Sequence, residues 1–308
     1  MAKRTFLLVS ICALLGSVAL RAETVSMRPV ADTTLFESAP DDNMGGWTHV
    51  ASGTTGNQGG RTRNRALLRF DPTAAIPARA RVTNAFLVLQ VTKVPGNSGG
   101  GGPVSSTFAL HSMLRAWGEG EKLGDRGFPA DVGEATWNSR FAPDESWGVP
   151  GGEAGVDFSA DASATNRVLG KGPYQFGPTA GLLADVQAWL DNPAANAGWA
   201  LLSQSEGSGK TARGFASRED PALAPVLVVE FAPPAPFRIQ GSEVHTNGFA
   251  LWFLPEQGRS YAVEFKDDFA QPTWTVLTNL APAPDTAVLR ISTSVNPPRR
   301  FFRVSSPK

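Results

Sequence analysis

Short apolar or alternating segments recur from residue 24 to residue 231, and clusters of Gly, Pro, Asn and Asp separate them. Alternation with a period of two places one face of an extended segment in a core, so this pattern predicts β-strands. The 32 glycines and 24 prolines supply the turns that many short strands require. Only residues 182–190 have helical spacing, and Asp191-Asn192-Pro193 ends that helix. The predicted strands are Thr24–Val30, Asp32–Ser38, Arg65–Asp71, Arg81–Val94, Ser106–Leu114, Trp199–Gln204, Thr211–Ser217 and Pro225–Phe231.

A second group of strands follows a proline-rich segment. Residues 232–236 read Ala-Pro-Pro-Ala-Pro directly after an apolar strand, and proline cannot continue a ladder of hydrogen bonds. We therefore predict a first β-domain over 23–231, a linker over 232–236 and a second domain over 237–308. The spacing of the strands in the second domain is typical of a small immunoglobulin-like or fibronectin-like β-sandwich. These strands are Phe237–His245, Phe249–Leu254, Ser260–Lys266, Trp274–Thr278, Ala287–Ser292 and Arg300–Val304.

The N-terminus has the three-part pattern of a secretory signal peptide. Lys3 and Arg4 precede the apolar residues 6–18, and small residues follow up to Ala22. The apolar run is short for a membrane span, and no later segment is apolar for long enough to be one. We therefore predict a signal peptide over 1–22 and a secreted, extracellular protein. The alternative is a buried N-terminal helix.

Charge and cysteine content restrict the partners and the chemistry. The chain has 28 basic and 28 acidic residues, and without Lys3, Arg4 and Arg21 of the signal 25 basic residues stand against 28 acidic ones. This slightly negative balance argues against nucleic acid or a membrane surface as the partner. Cys12 is the single cysteine and lies within the predicted signal. Disulfides and cysteine–zinc sites are therefore excluded from the mature chain.

Seven segments of the first domain follow one another in a family-like order. They are Ala31-Asp32-Thr33, Arg65–Asp71, Val82–Leu89, Ala135–Asn138, Asp185–Leu190, Gly198–Leu202, and Phe215–Glu219 with the strand Pro225–Glu230 after it. In this order, over about residues 27 to 231, they resemble the DNRLRE domain, which overlaps family 96 of the carbohydrate-binding modules. The resemblance implies a jelly-roll-like β-sandwich that binds polysaccharide, with alginate, an acidic uronate polymer, as the linked ligand. Two long loops, Gly118–Gly133 and Trp147–Tyr174, depart from the family pattern.

A row of arginines provides the main candidate ligand residues. Arg61, Arg63 and Arg65 alternate, and Arg69 follows four residues later. Alternate residues of a strand share a face at a spacing of about 6.6 Å, and Ala66, Leu68 and Phe70 on the opposite face form the natural core face. The arginines are then expected to point outward, where guanidinium groups bind uronate carboxylates with two hydrogen bonds. The alternative is a solvated edge or a set of salt bridges.

Aromatic side chains in loops are the second set of candidates, because the apolar faces of sugars lie against flat rings. Trp47 is close in sequence to the arginines, with packing as the alternative, and Trp147 and Tyr174 also lie in loops. Arg218, in a Ser-Arg-Glu motif, is a further ligand candidate or the partner of a neighbouring acid. Four other tryptophans are predicted to be core residues, namely Trp117, Trp137, Trp189 and Trp199.

Hard oxygen ligands occur together near the N-terminus. Asp32, Asp41, Asp42 and Asn43 offer carboxylate and amide oxygens of the kind that Ca²⁺ prefers. We therefore name them as candidate ligands of a structural calcium ion. The alternative is that the Asp41–Asn43 segment is simply a turn, since these residues favour turns.

The sequence thus predicts a secreted, non-catalytic, monomeric protein that binds an acidic, alginate-like polysaccharide. A structural or adhesive extracellular β-sandwich protein without glycan binding is an alternative, and a polysaccharide lyase or hydrolase is a third. The three histidines, His49, His111 and His245, have no spacing for a shared metal. Only two tyrosines, Tyr174 and Tyr261, are present to build a lyase-type cluster.

Overall fold

The computed structural model describes residues 22–97, 101–234, 239–245, 248–256, 258–285, 287–294 and 300–306. Residues 1–21 of the predicted signal peptide lie outside this range. The chain divides into two compact units, and the first ends at Pro234, within the proline-rich segment 232–236. Each unit is built from antiparallel strands.

Strands account for most of the regular structure, and the described residues contain one α-helix. The strands of the first unit are β1 (Glu23–Met27), β2 (Ala31–Phe36), β3 (Asp42–Asn43), β4 (His49–Thr54), β5 (Arg63–Arg69), β6 (Arg81–Lys93), β7 (Ser106–Ser112), β8 (Phe128–Pro129), β9 (Ser139–Phe141), β10 (Glu145–Ser146), β11 (Ala164–Val168), β12 (Gly172–Phe176), β13 (Trp199–Ser203), β14 (Arg213–Ala216) and β15 (Val226–Ala232). Those of the second unit are β16 (Ile239–His245), β17 (Gly248–Phe253), β18 (Tyr261–Lys266), β19 (Thr275–Leu280), β20 (Leu289–Ser294) and β21 (Phe301–Ser305). The helix α1 spans Ala180–Asp191, and single 3₁₀ turns occur at Asn57–Gly59, Pro72–Ala74 and Pro193–Ala195.

The main strands of the first unit form one antiparallel sheet that curls over on itself, in the order β1-β15-β6-β14-β4-β5-β13-β7-β11. In addition, β12 pairs with β6 and β2 pairs with β5. We call β1, β15, β6, β12 and β14 the front half, and β2, β5, β13, β7 and β11 the back half. At the edge of the front half, β1 pairs with β15 along its whole length, with Glu23 opposite Phe231 and Met27 opposite Leu227.

The strand β4 connects the two halves. Its first four residues, 49–52, pair with β14, whereas Gly53 and Thr54 pair with β5. Gly53 has a φ of +99°, and a Cβ there would lie 2.7 Å from the carbonyl oxygen of Thr211. Because other residues rarely adopt this backbone conformation and have no space here, the crossing requires glycine.

The main hydrophobic core fills the space between the two halves. Along β6, residues 82–91 alternate between buried apolar and half-buried side chains, apart from the bend in the pairing near 82–84. On β5, the apolar face predicted from the alternation is buried in this core, and it consists of Ala66, Leu68 and Phe70. Strict alternation therefore determines which side of each central strand faces inward.

The helix α1 covers one side of this core. Thr179 begins it as the N-cap, since its hydroxyl oxygen accepts a hydrogen bond from the N–H of Leu182. Leu182, Val186 and Trp189 are buried, and the ring of Trp189 lies 4.3 Å from that of Trp199 on β13, measured between centroids. The predicted helix over 182–190 is thus present and is longer by a few residues.

A second layer covers the outer face of the back half. The segment 113–158, between β7 and β11, forms a second hydrophobic cluster with outward residues of β5 and β13 such as Leu67 and Ala200. The residues that this segment contributes are Met113, Trp117, Ala135, Trp137, Trp147 and Phe158. From the sequence, the arginines of β5 were expected to point outward to a ligand, with a solvated edge as the alternative, and Trp147 was expected in a loop that presents a binding ring. Both are covered instead, because the long segment folds back over the sheet and buries apolar surface there.

The second unit consists of two three-stranded antiparallel sheets, in the orders β16-β17-β20 and β19-β18-β21. A small core forms from Leu251, Phe253, Tyr261 and Val263. All six strands predicted from the sequence are present here, with ends shifted by a few residues.

The all-β fold class predicted from the sequence is confirmed, with a large β-sandwich followed by a small β-structured unit. The longer strands that the sequence analysis did not predict are β4, β11 and β12. Within the described ranges, no helix has both the length and the apolar character needed to cross a membrane, in agreement with the absence of a predicted span after the signal.

Candidate functional site

The predicted ligand residue Arg65 lies beneath the second layer. Its Nε and Nη2 donate to the two carboxylate oxygens of Glu206 at 2.8 and 2.7 Å. Its Nη1 donates to the carbonyl oxygens of Gly151 and Gly152, each at 2.9 Å. The side chain is only 11% exposed. Arg65 therefore joins β5 to the second layer, and a ligand carboxylate would have to compete with Glu206 for it.

The other predicted arginines are not equivalent to one another. Arg63 donates from Nε and Nη2 to Glu37 at 3.0 and 2.5 Å, which lowers the pKa of that carboxyl. Arg69 lies over the ring of Trp117 at 5.5 Å, and the described residues give its guanidinium no carboxylate partner. Arg61 lies in the turn before β5 with a φ of +55°, so it does not continue the strand. The arginines predicted to form one row therefore lie in two places, with Arg61 in the turn and the others on the covered outer face of β5.

Arg218 lies within a cluster of three carboxylates. Its Nε lies 2.5 Å from Oε1 of Glu119 and 2.9 Å from Oε1 of Glu219. Its main-chain N–H donates to Oδ2 of Asp32 at 2.7 Å, and the N–H of Asp32 donates to Glu119 at 2.8 Å. Within the described residues, Oδ1 of Asp32 and Oε2 of Glu219 are buried and accept no hydrogen bond. A single guanidinium therefore balances three acids.

The remaining predicted calcium ligands, Asp41, Asp42 and Asn43, have different surroundings. The amide of Asn43 is buried. Its Nδ2 donates to one hydroxyl and two carbonyl oxygens, and its Oδ1 accepts a hydrogen bond from a main-chain N–H. Asp41 is exposed and accepts a hydrogen bond from Asn138 at 2.8 Å. In the part of the chain that the structure describes, no three His, Cys, Asp or Glu side chains are arranged to hold a metal ion. Calcium binding stays a prediction.

Replacing Asp32 with asparagine should stabilise the first unit at neutral pH. Burial raises the pKa of Asp32 well above its usual range. The hydrogen bond from Arg218 lowers this pKa in part, and the negative charges of Glu219 and Glu119 raise it. The native state therefore holds the proton more tightly than the unfolded chain, so stability falls as pH rises from the unfolded pKa through the folded one. Asparagine avoids this loss, and we expect a gain of about 1–2 kcal/mol at pH 8 that vanishes near pH 4.

Urea denaturation of both proteins across this pH range measures the effect. Asp41→Asn is the matched control, because it makes the same chemical change at an exposed carboxylate. The measurement is made in a chelator and again with added calcium. A lower stability of Asp32→Asn at pH 8 in the chelator would contradict the expectation. A calcium-dependent stabilisation that only the wild type shows would instead support Asp32 as a calcium ligand.

An open cleft lies on the outer side of the front half, where β4, β6 and β14 meet. Its volume is about 270 Å³, and a second cleft of about 180 Å³ shares the lining residues Gly56 and Pro95 with it. None of the described residues that line the two clefts is acidic. Four of the lining residues are basic, namely His49, Lys93, Lys210 and Arg213. We call the two clefts together the basic groove.

Trp47 stands beside the basic groove and is held from two sides. Its carbonyl oxygen accepts a hydrogen bond from Oγ of Ser217 at 2.6 Å, and its Nε1 donates to Oδ1 of Asp125 at 3.0 Å. Its ring centroid lies 6.2 Å from that of His49. Lys93 donates to the same oxygen of Asp125 at 2.6 Å. The half-buried indole is therefore fixed next to two of the basic residues of the groove.

The charges around Trp47 follow from burial and from these contacts. Burial and then the charge of Lys93 lower the pKa of His49, so its ring is neutral near pH 7. The hydrogen bond from Lys93 is the largest cause of a lowered pKa at Asp125. At neutral pH, Lys93 and Asp125 thus form an ion pair at the edge of the groove.

Arg213 holds the loops around one end of the groove. Its residue is 1% exposed, and burial lowers its pKa. Its guanidinium donates to main-chain carbonyl oxygens from separate parts of the chain and to no carboxylate in the described residues. The acceptors are Leu169 at 2.9 Å, Val104 at 2.7 Å, Lys210 at 3.3 Å, Thr211 at 2.9 Å and Ala212 at 2.8 Å.

Trp47 was predicted from the sequence as a ligand residue, whereas the basic residues beside it were not. His49, Lys93 and Lys210 come from β4, the end of β6 and a turn before β14. They are far apart in sequence, and only the pairing of β14 with both β4 and β6 brings the first two together. The one local signal was the polar strand β4, whose sequence is too weakly apolar to be recognised.

No protein-family model matches this chain, and no curated protein sequence matches it either. The resemblance to the DNRLRE domain is therefore carried by the seven segments alone.

Proposed function

We propose that this chain is a secreted, non-catalytic protein that binds an acidic polysaccharide, and that the basic groove with Trp47 is the binding surface. The observation that carries the proposal is the lining of the groove, which has four basic residues and, among the described ones, no acidic residue. Because His49 is neutral near pH 7, the cationic side chains of the lining are Lys93, Lys210 and Arg213. A positively charged surface attracts a polymer of negative charge. Secretion rests on the signal-peptide pattern.

The shape of the groove supports a polymeric ligand. Two adjoining clefts that share Gly56 and Pro95 form a longer and shallower surface than a closed pocket for a small molecule. Trp47 offers a flat apolar ring at one side, against which the C–H face of a sugar packs. Because a hydrogen bond from Ser217 to its carbonyl oxygen already fixes the main chain of Trp47, binding loses little backbone entropy at this position.

The arginines of β5 remain candidate ligand residues, and they provide an internal comparison. Arg69 is the one with no carboxylate partner in the described residues, and it lies on the outer face of the back half over Trp117. Binding through Arg69 and binding through Lys93 therefore involve different sides of the sandwich. Single substitutions at the two positions distinguish these surfaces.

Trp47→Ala should weaken binding to a uronate polymer about tenfold, because it removes a stacking contact worth roughly 1 kcal/mol together with its preorganised position. Lys93→Gln should weaken binding less and should reduce its dependence on salt, since an exposed charge pair is screened. The measurement is affinity electrophoresis and calorimetry of residues 23–308 with alginate, polygalacturonate and a neutral glucan at low and high salt.

Arg81→Gln is the control for Lys93→Gln. Arg81 is exposed at the other end of the same strand, about 40 Å from Lys93 at the usual rise per residue. Its substitution should therefore leave binding unchanged. Loss of binding in Arg69→Gln, but not in Lys93→Gln, would assign the site to the back half instead. If the folded wild type binds none of the glycans, the proposal fails and the structural or adhesive alternative takes its place.

A further inference from the structure

Two hydrogen-bond donors converge on one carboxylate oxygen, and a buried histidine ring lies beside them. Oδ1 of Asp125 lies 2.6 Å from Nζ of Lys93, 3.0 Å from Nε1 of Trp47 and 3.5 Å from Nε2 of His49. The side chain of Asp125 is nevertheless 61% exposed. This arrangement resembles a binding site for a carboxylate more than a contact that stabilises the fold.

The donors and the acceptor belong to different kinds of structure. Trp47 precedes β4, His49 begins β4 and Lys93 ends β6, so both donors and the histidine ring are attached to the front half of the sheet. His49 is buried, and the carbonyl oxygen of Trp47 is bound by Ser217. Asp125, by contrast, lies in an exposed turn of the 113–158 segment. The donors therefore form a fixed receptor, and the carboxylate is the part held by a surface loop.

We infer that Trp47, His49 and Lys93 form a subsite for a single carboxylate, which Asp125 fills in the free protein and a uronate of the bound polysaccharide takes over. This inference rests on the proposed function and names the ligand group that the subsite selects. Asp125 then acts as an internal competitor. A sugar without a carboxylate cannot replace it, so neutral polysaccharides leave the Lys93–Asp125 ion pair in place.

The exchange is physically inexpensive. Both partners of the ion pair are more than half exposed, with 52% for Lys93 and 61% for Asp125, and such pairs contribute little to stability. When Asp125 moves away, the indole N–H and the ammonium group keep an acceptor of the same charge and geometry from the ligand. The sugar ring that carries this carboxylate is then adjacent to the face of Trp47.

Asp125→Ala should bind oligouronates about two- to fivefold more tightly than the wild type, because the internal competitor is removed. Binding of a neutral oligosaccharide should not change. Asp131→Ala is the matched control, since Asp131 is an exposed acid of the same segment that pairs with Lys122 and changes the net charge equally. The readout is calorimetry with galacturonate and mannuronate oligomers, and Asp125→Ala/Lys93→Gln should lose the gain.

The outcomes separate this inference from the proposed function. If the wild type binds uronates and Asp125→Ala binds them no more tightly than Asp131→Ala, the subsite is disproved and the proposed function stands. If the wild type binds no polysaccharide, Asp125→Ala is titrated with free glucuronate while the indole N–H signal of Trp47 is followed by NMR. A saturable shift that Lys93→Gln abolishes supports the carboxylate subsite, and the absence of a shift overturns it.

Discussion

Trp137→Ala should lower the free energy of unfolding of the first unit by about 3–5 kcal/mol, the usual cost of truncating a buried tryptophan. Trp137 is 4% exposed and lies at the centre of the second layer. The guanidinium groups of Arg63 and Arg65 lie 5.0 and 5.6 Å from its ring, so both also lose a cation–π contact. Gly151 packs so closely that a Cβ there would lie 2.6 Å from the ring.

Chemical denaturation followed by far-ultraviolet circular dichroism measures this effect. Trp47→Ala is the control of identical chemistry, because Trp47 is half-buried on the other side of the sandwich and should cost about 1 kcal/mol. A second outcome is informative. If Trp137→Ala unfolds in two steps, the second layer separates before the main core, whereas a single shifted transition means that the two cores unfold together. A loss no larger than that of Trp47→Ala would contradict the description of a second core.

Arg213→Met should cost about 3 kcal/mol, even though it removes a buried charge. Methionine fills much of the same volume, but five carbonyl oxygens lose their donor. Some of these carbonyl groups become accessible to water when the loops relax, which limits the loss. The loops around residues 104, 169 and 210 should also become more mobile, because Arg213 is the group that connects them.

Arg213→Lys tests the reason for this loss. Lysine keeps the charge but has a single donor atom and no planar fork, so it should recover only part of the stability. Thermal unfolding gives the stability, and amide hydrogen exchange at residues 169–170 and 210–212 reports on the loops. If the methionine variant is as stable as the wild type, the free-energy cost of burying the guanidinium charge equals the stabilisation from its hydrogen bonds. In that case the network has no net stabilising effect.

The inward faces of the strands were predictable from the sequence, because side-chain alternation is local information. Ala66, Leu68 and Phe70 face the main core as the period of two requires. Trp117, Trp137, Trp189 and Trp199, the four tryptophans predicted to be core, are all buried.

What covers the outer face of a strand was not predictable in the same way. Alternation separates the two faces of β5, but it cannot tell whether the outer one meets water or another layer. The answer depends on residues 113–158, which are turn-rich and carry little periodicity. Their tryptophans bury the arginine face, and Arg65 is bound by Glu206, far away in the sequence. The expectation of an open arginine row failed because its neighbours are determined by tertiary structure.

The basic groove was hidden for a related reason. Its basic residues come from three segments of the chain, around residues 49, 93 and 210–213, and they form no motif. Asp125 gave no signal either, since one acid in a glycine-rich loop has many ordinary explanations. Trp47 was recognisable, because a tryptophan in a segment rich in turn-forming residues is unusual and invites an explanation.

The pairing of β1 with β15 determines how the first unit responds to mechanical tension. Glu23 lies opposite Phe231, so the two ends of this unit leave from the same end of one strand pair. A pull on these ends loads the inter-strand hydrogen bonds one after another, as in unzipping, rather than all at once in shear. The edge strand β1 should therefore detach at low force, while the rest of the sheet, including β4 and β6 beside the groove, keeps its pairing. Under tension, the protein would therefore lengthen by the released strand β1 before the strands that line the groove are pulled apart.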